Sequence, residues 1–332
     1  MGAHLEADTH RAFHNASMDS LRPAGAVVIG DLDDPHVEAV LQRLPRQATA
    51  VLDAATLPAA LSRLSPLDSV VFDRSGQPVR LSRHVPARGW IRRLAPAGWD
   101  AGVELGGQAA ARMAARMTTL AAVLRDAGLT WLCTVDALFT AENKIVQYRT
   151  AAALGVAAPA TLVCGDPAVL AAELGEPFII KPLGPGNFAG RDRSQHIVHA
   201  QEATGVALTG VDLLDAPFLA QRKLHARTHL RVVTVNDRAW TAELDATGLP
   251  LDWRQADEAH HAFTASTRWP AVEHDAVRLA KHLNTGFSCQ DWIVDQAGPW
   301  FVDLNPGGQW LFLPESITEQ VADSLAHWLQ GI

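Results

Sequence analysis

Cysteine is scarce in this sequence. The three cysteines, Cys133, Cys164 and Cys289, stand far apart in apolar, strand-like surroundings and form no CxxC pair. This pattern excludes a disulfide-rich scaffold and favours buried structural thiols in a reducing cytoplasm. We therefore expect a cytoplasmic protein without a catalytic cysteine.

Long apolar runs and an excess of positive charge are also missing. No run approaches the roughly 18 apolar residues that cross a bilayer, and residues 1–22 lack the apolar segment of a secretory signal. Those first residues are polar and aperiodic, which predicts a disordered tail. With a net charge of -8, the chain is not expected to bind nucleic acid or an anionic membrane.

Three common signatures of nucleotide or metal chemistry are absent as well. There is no GxxxxGK[ST] phosphate loop, and no GxGxxG pattern accompanies Gly30 to indicate a dinucleotide-binding fold. None of the 14 histidines stands at an HExxH or other zinc-binding spacing. Any nucleotide or metal chemistry must therefore use a different set of residues.

What the chain does contain is enough apolar sequence for a large core. Its 332 residues are 48% hydrophobic and 19% charged, as in a globular protein of two or three lobes. Residues 24–100 alternate short strands with helix starts, which predicts a small α/β lobe with a mainly parallel sheet. Thr140 is expected to cap a helix that runs through Lys144 to Leu154. From about residue 158 onward strand-like segments dominate. We place the domain boundaries at 23–130 and 131–332.

Two acidic residues stand on strand-like runs that flank a short turn. Asp291 lies in Ser288–Val294 and Asp303 in Pro299–Leu304, and Asn305 follows two residues after Asp303. Because side chains alternate along a strand, Asp303 and Asn305 share a face, and a hairpin would bring Asp291 to the same cavity. Two carboxylates and an amide oxygen suit Mg²⁺, which often bridges substrate phosphates. A hairpin with solvated acids is the simpler alternative.

A second pattern joins a lysine to a glycine-rich loop. Lys181 ends the apolar strand-like run Pro177–Pro182, and Gly184, Gly186, Asn187 and Gly190 follow within nine residues. Glycines let backbone amides approach phosphate oxygens, and a lysine at the end of a buried strand needs an anionic partner or access to water. The loop alone is more often a plain turn, but its place before the acidic hairpin favours phosphate binding.

These features together resemble a known superfamily. The segment Asp303–Trp310 is similar to the end of the ATP-grasp domain, and most similar to the microviridin or graspetide maturases, whose motif resembles Glu-x-Asn-Pro-x-Gly-Gln-Trp. Asp303 stands where that family usually has Glu, so its carboxylate is one methylene shorter. The resemblance runs from about residue 25 to the C-terminus and is densest over 141–313. It implies an α/β fold with an N-terminal pre-ATP-grasp lobe, a central lobe and a C-terminal lobe.

The resemblance also implies roles for individual residues. Lys144 and Lys181 would hold the phosphates with the glycine loop, and Arg231 and Arg254, in Leu-Arg-Val and Asp-Trp-Arg segments, would neutralise charge during catalysis. Asp291, Asp303 and Asn305 would bind two Mg²⁺ ions. One segment would pair with adenine through its backbone at the hinge between lobes, and it consists of Gln221, Arg222, Lys223 and Leu224. An exposed edge strand is the alternative interpretation of this segment. No residue stands out as a dedicated base.

The implied reaction is ATP-dependent activation of a carboxylate. A side-chain carboxylate of a ribosomal precursor peptide, recognised through its leader segment, would form an acyl-phosphate and ADP, and a hydroxyl or amine would then close an ω-ester or ω-amide ring. The family often works as a homodimer. Two alternatives stay open at this point. One is a ligase for free amino acids or for the C-terminus of a protein, and the other is a non-catalytic ATP-binding regulatory protein.

Overall fold

The computed structural model describes residues 22–31, 33–54, 61–65, 68–82, 87–94, 107–125, 128–183, 187–189, 195–215 and 217–332. These residues form two compact units. The first takes in the described residues up to Pro96, those from Val103 to Trp131, and Ala326–Ile332. The second contains Leu132–Leu325. The tail expected over residues 1–22 lies outside the described part, apart from Arg22.

The described residues of the first unit form two sheets. The elements are β1 (Arg22–Pro23), β2 (Ala26–Gly30), α1 (Pro35–Leu41), β3 (Thr49–Asp53), β4 (Leu61–Leu64), β5 (Asp68–Phe72), β6 (Pro78–Ser82), β7 (Ala87–Ile91), α2 (Gln108–Leu124) and β8 (Leu129–Trp131). A four-stranded sheet in the order β3-β2-β7-β8 is parallel throughout, and a second sheet in the order β1-β6-β5-β4 is antiparallel except between β1 and β6. The prediction of a mainly parallel sheet therefore holds for one of the two sheets.

A buried ionic network joins the end of β7 to the start of α1. Asp34 caps the helix by accepting from the backbone N of His36, and its Oδ1 lies 2.7 Å from the His36 ring. Its Oδ2 lies 3.1 Å from Nε of Arg92, whose side chain is 1% exposed. Burial alone would raise the pKa of Asp34, but the hydrogen bonds from His36 and the charge of Arg92 lower the pKa to about 2. The Trp-x-Arg-Arg run that begins at Trp90 thus contributes a structural ion pair.

In the second unit, the described residues form three sheets. The elements are α3 (Val135–Glu142), α4 (Lys144–Ala153), β9 (Thr161–Leu162), α5 (Pro167–Leu174), β10 (Phe178–Pro182), β11 (Asn187–Ala189), β12 (Gln195–Ile197), β13 (Gln201–Ala203), β14 (Phe218–Arg222), β15 (Thr228–Val235), β16 (Arg238–Asp245), β17 (Thr264–Ser266), α6 (Pro270–His282), β18 (Phe287–Val294), β19 (Pro299–Asn305) and α7 (Glu315–Gln330). The largest sheet has five antiparallel strands in the order β17-β16-β15-β18-β19, a four-stranded sheet has the order β13-β10-β14-β9, and β11 pairs with β12.

One face of the five-stranded sheet packs on α4 and α6. Leu230, Trp292 and Leu304 from three neighbouring strands join apolar residues of both helices in one buried cluster. Alternation along the strands then turns the intervening residues toward the opposite face. The core on one face therefore fixes which side chains of β15, β18 and β19 are available for chemistry on the other.

The start of α4 differs from the sequence-based expectation. Thr140 was expected to cap this helix, but it lies inside α3. The cap is Asn143, whose side chain accepts from the backbone N of Ile145 at 3.0 Å and of Val146 at 3.2 Å. Asn ranks above Thr as an N-cap, so residue type agrees with the cap that the structure shows. The consequence is that Lys144 is the first residue of the helix.

In the described part of the chain, no helix is both long and apolar enough to cross a membrane.

We predict that the Asp34 network makes stability depend on pH. Because the pKa of Asp34 is lowered in the folded state, its contribution is full above about pH 4 and is lost as the pH falls toward about 2. In urea unfolding, the free energy of unfolding of wild type should exceed that of Asp34→Asn by about 2 kcal/mol near neutral pH. This difference should shrink below about pH 4. A constant difference between pH 7 and pH 3 would contradict this. Asp33→Asn changes an exposed neighbour and serves as the control.

Candidate active site

Three charged residues stand in one row across the five-stranded sheet. Arg231 on β15 is opposite Asp291 on β18, and Asp291 is opposite Asp303 on β19. Directly opposed residues of an antiparallel sheet project to the same face. The structure therefore brings together Asp291 and Asp303, as the hairpin pattern predicts, and adds Arg231 beside them.

A β-bulge makes this row possible. Asp291 pairs with Asp303 but Trp292 pairs with Phe301, so Val302 is an extra residue on β19. The bulge lets Phe301 pack against Trp292 in the core, with ring centroids 5.5 Å apart, while Asp303 faces the other side. The carbonyl oxygen of Val302 accepts hydrogen bonds from the hydroxyl of Tyr148 and from Nζ of Lys181. One irregularity thus positions both an acid and an acceptor for a lysine.

Helix α4 holds the acidic strand in place through Gln147. The Gln147 amide donates to the carbonyl of Leu304 at 2.7 Å and accepts from the N–H of Leu304 at 2.9 Å. It also donates to the carbonyl of Ala141. Gln147 is 1% exposed. Because buried backbone groups need hydrogen-bond partners, its amide takes the place of a neighbouring strand beside Leu304. Leu304 lies between Asp303 and Asn305, and Gln147 therefore fixes the backbone of the metal-ligand candidates.

Lys144, at the start of the same helix, reaches Asp303. Its Nζ lies 2.7 Å from Oδ1 of Asp303, with 20% of the Lys144 side chain and 25% of the Asp303 side chain exposed. Burial would raise the pKa of Asp303, but the charges of Lys144 and Lys181 outweigh this and hold the pKa below its usual value. Asp303 is therefore ionised at neutral pH and available as a hard oxygen ligand.

Lys181 reaches the row from β10 of the four-stranded sheet. Its Nζ lies 3.1 Å from the Tyr148 hydroxyl and 5.5 Å from the centre of the Tyr148 ring. Burial lowers the pKa of Lys181, and the charge of Asp303 opposes that shift. Burial also raises the pKa of Tyr148, the only tyrosine of the chain, so the hydroxyl stays a neutral donor. Among the described residues, its hydrogen bonds go to a carbonyl and a hydroxyl rather than to an acid, so this lysine is suited to receive a phosphate.

The Gly-Gly-Gln segment after β19 closes over Arg231. Nη1 of Arg231 donates to Oδ1 of Asp291 at 2.7 Å, and Nη2 donates to the carbonyl of Gln309 at 2.8 Å. A Cβ on Gly308 would stand 2.3 Å from Cβ of Cys289 and 3.0 Å from Nη2 of Arg231. Glycine is therefore required sterically at position 308, because only a residue without a side chain lets the backbone come this close.

Arg254 extends the charged row beyond Asp291. Its Nε donates to Oδ1 of Asp252 at 2.8 Å, and Nη1 lies 4.0 Å from Oδ2 of Asp291. Asp252 is 6% exposed and also accepts from the backbone N of Arg254. The Arg254 side chain is 52% exposed, so its guanidinium can contact a substrate while Asp252 holds its Nε atom. On the other oxygen of Asp252, His199 Nδ1 lies at 3.0 Å.

The expected adenine segment lies at the end of β14. Gln221 is buried and donates to Thr161, and the backbone N of Arg222 donates to the carbonyl of Ala160. Lys223 forms an ion pair of 2.6 Å with Glu202. Leu224 is half-buried beyond the strand. Because strand pairing already engages the N–H of Arg222, an adenine contact in this segment would fall to the residues that follow it.

The predicted phosphate loop falls partly outside the described residues. Gly184, Gly186 and Gly190 lie outside the described residues, and so does the side chain of Asn187, whose backbone begins β11. Asn305 is described and exposed, and its Oδ1 accepts from the backbone N of Gly307 at 2.9 Å. It lies on the same strand as Asp303 and two residues beyond it.

The oxygen donors fit a magnesium ion. The described hydrogen bonds to Asp291 and Asp303 engage Oδ1 of each carboxylate, and Asn305 adds an amide oxygen. Among the described residues, no group of three or more His, Cys, Asp or Glu side chains could hold a metal ion by itself. A site with two carboxylates, an amide and a bound phosphate is the kind that Mg²⁺ uses.

Sequence reasoning gave no role to four residues that shape this site: Gln147, Tyr148, Asp252 and His199. Two of them carried a usable signal, because Gln147 and Tyr148 stand three and four positions after Lys144 and so share its helix face. His199 carried no such signal, since it is 53 residues away from Asp252 along the chain.

We predict that Gly308→Ala destabilises the protein. The new methyl group must push the loop away from Cys289 and the Gln309 carbonyl away from Arg231, which should cost about 1–3 kcal/mol in urea unfolding. Cys289→Gly removes the clashing Cβ, so the double variant should lose less than the sum of the two single variants. A neutral Gly308→Ala, or strictly additive effects, would show that the contact does not constrain the loop.

Comparison with known proteins identifies the fold. No family model and no curated protein sequence matches the chain. Among solved structures, the RiPP-associated ATP-grasp ligase of Chryseobacterium gregarium, with ADP and a leader and core peptide, has a TM-score of 0.78 and 16% identity, covering 92% of this chain and 96% of its own. The macrocyclase MdnC of Microcystis aeruginosa MRC, bound to the precursor peptide MdnA, has a TM-score of 0.75 and 17% identity, covering 92% and 99%.

A third solved structure agrees with these two. The ATP-grasp ligase PsnB, complexed with a minimal precursor, has a TM-score of 0.72 and 21% identity, covering 93% of this chain and 99% of its own. At such low identities the likeness speaks for the fold rather than for the activity. The expected fold is confirmed: this chain has the ATP-grasp fold, and the similarity extends over more than nine-tenths of its length.

Proposed function

We propose that this protein is an ADP-forming ATP-grasp ligase that joins a carboxylate to a hydroxyl or an amine. The observation that carries the proposal is the row of Arg231, Asp291 and Asp303 with Lys144 and Lys181 beside it. In this fold, a cluster with acids at its centre and cations around it matches the charges of a metal-bound triphosphate.

Charge balance supports ATP as the substrate of this cluster. Lys144, Lys181, Arg231 and Arg254 bring four positive charges near Asp291 and Asp303. The arginines stay protonated, since Asp291 raises the pKa of each against the effect of burial. The two carboxylates would hold Mg²⁺ and be neutralised by it, which would leave the four cations available for phosphate oxygens. Bound Mg²⁺ would supply Lewis-acid stabilisation of the phosphate charge.

In acyl activation, different residues bind the triphosphate and stabilise the developing charge. Lys144 and Lys181, with the glycine loop at 184–190, hold the triphosphate, while the attacking carboxylate meets the γ-phosphate near Arg254. Transfer of the γ-phosphoryl group gives an acyl-phosphate and ADP. Arg231, fixed at both ends by Asp291 and the Gln309 carbonyl, stays in position as charge develops on the transferred group. Positioning and preorganised charge account for much of the acceleration in such reactions.

We further propose that the acceptor and donor belong to one ribosomal precursor peptide. The structurally similar ligases were solved with leader and core peptides or with precursor peptides. The exposed Arg254 guanidinium is suited to pair with a substrate carboxylate in bidentate fashion. The product is a side-chain ω-ester or ω-amide macrocycle. From the sequence resemblance and the scarce cysteines we also propose that the protein acts in the cytoplasm as a homodimer, with an N-terminal domain over 23–130 and the ATP-grasp domain over 131–332.

We predict a loss of water from the substrate peptide. The full chain is incubated with Mg²⁺-ATP and each short peptide encoded beside its gene, and intact masses are compared. A ring should lower the mass by one water and release one ADP. Asp303→Asn, which removes a metal ligand, should slow both by about 10²-fold or more. Asp215→Asn, an exposed acid in the same unit, should leave both unchanged.

Other outcomes would redirect the assignment. Unchanged peptide masses, together with ADP release on addition of free amino acids, would indicate an amino-acid ligase on the same fold. ATP binding without ADP formation under any of these conditions would contradict the proposal and indicate a regulatory nucleotide-binding protein. Equal activity of Asp303→Asn and wild type would contradict the assignment of the metal site.

A further inference from the structure

A histidine and a buried aspartate form a pair next to the charged row. His199 follows β12, and Asp252 immediately precedes the 3₁₀ turn Trp253–Gln255. Nδ1 of His199 lies 3.0 Å from Oδ2 of Asp252. The Asp252 side chain is 5% exposed and that of His199 is 31% exposed. The aspartate is thus enclosed, and the imidazole beside it is partly open to solvent.

The orientation of the imidazole follows from this contact. Oδ1 of Asp252 is held by Nε and the backbone N of Arg254, at 2.8 and 3.2 Å, so the carboxylate cannot rotate freely. The arginine charge and these hydrogen bonds outweigh burial and lower the pKa of Asp252, which keeps it an acceptor. An ionised carboxylate makes Nδ1 of His199 the donor. In the neutral imidazole, the lone pair is then on Nε2, on the far side of the ring.

This pair connects to the site through Arg254. The hydrogen bond from Arg254 to Asp252 and the 4.0 Å approach of Arg254 to Asp291 form a chain of contacts from His199 to a metal-ligand candidate. Asp252 also acts electrostatically on Lys181 and on His229. His199 is therefore linked to the charged row by two intervening side chains.

The other basic side chains of the site are less suited to accept a proton. Lys144 and Lys181 are engaged with Asp303 and with the Val302 carbonyl, and both arginines stay protonated. His229 also lies near Asp291, but it is only 7% exposed on β15. Of these two described histidines, His199 is the one that an acceptor group on a substrate can approach.

We propose that His199 is the general base of the second half-reaction, oriented by Asp252. This role rests on the proposed function. The oxygen of an acceptor hydroxyl, or the nitrogen of a neutral amine, attacks the acyl carbon of the acyl-phosphate. The proton of that O–H or N–H bond passes to Nε2 of His199, and the bond between the acyl carbon and the phosphate oxygen breaks. Inorganic phosphate leaves with the electron pair, and the imidazolium later returns its proton to phosphate or water.

The two half-reactions can be measured separately. The full chain is incubated with Mg²⁺-ATP, with and without hydroxylamine. The substrate is the peptide, encoded beside the gene, that wild type converts. Hydroxylamine captures the acyl-phosphate as a hydroxamate and reports the first half, whereas loss of one water reports ring closure. His199→Gln keeps an N–H that can donate to Asp252 but has no basic nitrogen. We expect it to slow ring closure by about 10²-fold or more and to leave hydroxamate formation within about twofold.

A second variant separates a chemical role from a structural one. His199→Ala should lose ring closure to the same extent and recover about tenfold or more of it when imidazole is added. His274→Ala, an exposed position on α6, should match wild type in both assays. Normal ring closure by His199→Gln would overturn the proposal, and so would loss of both products by His199→Ala without rescue by imidazole.

One outcome concerns the proposed function itself. If wild type forms neither hydroxamate nor ring from any neighbouring peptide, the ligase assignment fails, and the role of His199 fails with it. If wild type forms both products, only the variants decide the role of His199. The two failures are therefore distinguishable in one set of measurements.

Discussion

The ion pair between Arg231 and Asp291 sets the geometry on which the site depends. It joins directly opposed residues of β15 and β18, with 8% and 18% of the side chains exposed, and the next strand places Asp303 in the same row. Removing one partner of such an enclosed pair typically costs roughly 3–5 kcal/mol, because the other charge is left without compensation. The Gly307–Gly308 turn and the bulge at Val302 are built around this row.

The row also keeps the charges of the cluster balanced. Lys144 neutralises Asp303 and Arg231 neutralises Asp291, at 2.7 Å in each case. A Mg²⁺ ion held by the two carboxylates would take over that neutralisation, and the lysine and the arginine would then be available to phosphate oxygens. Burial of uncompensated charge, which is costly, would be avoided in this way.

Much of this arrangement follows from local sequence patterns. The apolar alternation of Ser288–Val294 and Pro299–Leu304 gives the hairpin and the shared face of Asp291 and Asp303. The bulge at Val302 has no such signature, because it depends on how Phe301 packs beneath Trp292. The cap of α4 was predicted at Thr140 instead of Asn143, the stronger N-cap by residue type, because the pattern did not show that the preceding helix continues to Glu142. The His199–Asp252 pair was missed because tertiary folding alone brings these residues together. The roles of Gly184, Gly186 and Gly190 stay predictions.

The most direct test of the metal-nucleotide site is an electron paramagnetic resonance titration with Mn²⁺ in place of Mg²⁺. Free Mn²⁺ is measured with the wild-type protein in the presence and absence of a non-hydrolysable ATP analogue. Because the carboxylates are neutralised by Lys144 and Arg231 until phosphate arrives, we expect tight Mn²⁺ binding only with the nucleotide, and its loss in Asp291→Asn. Mn²⁺ binding that is equally tight without nucleotide, or unchanged in Asp291→Asn, would contradict the account.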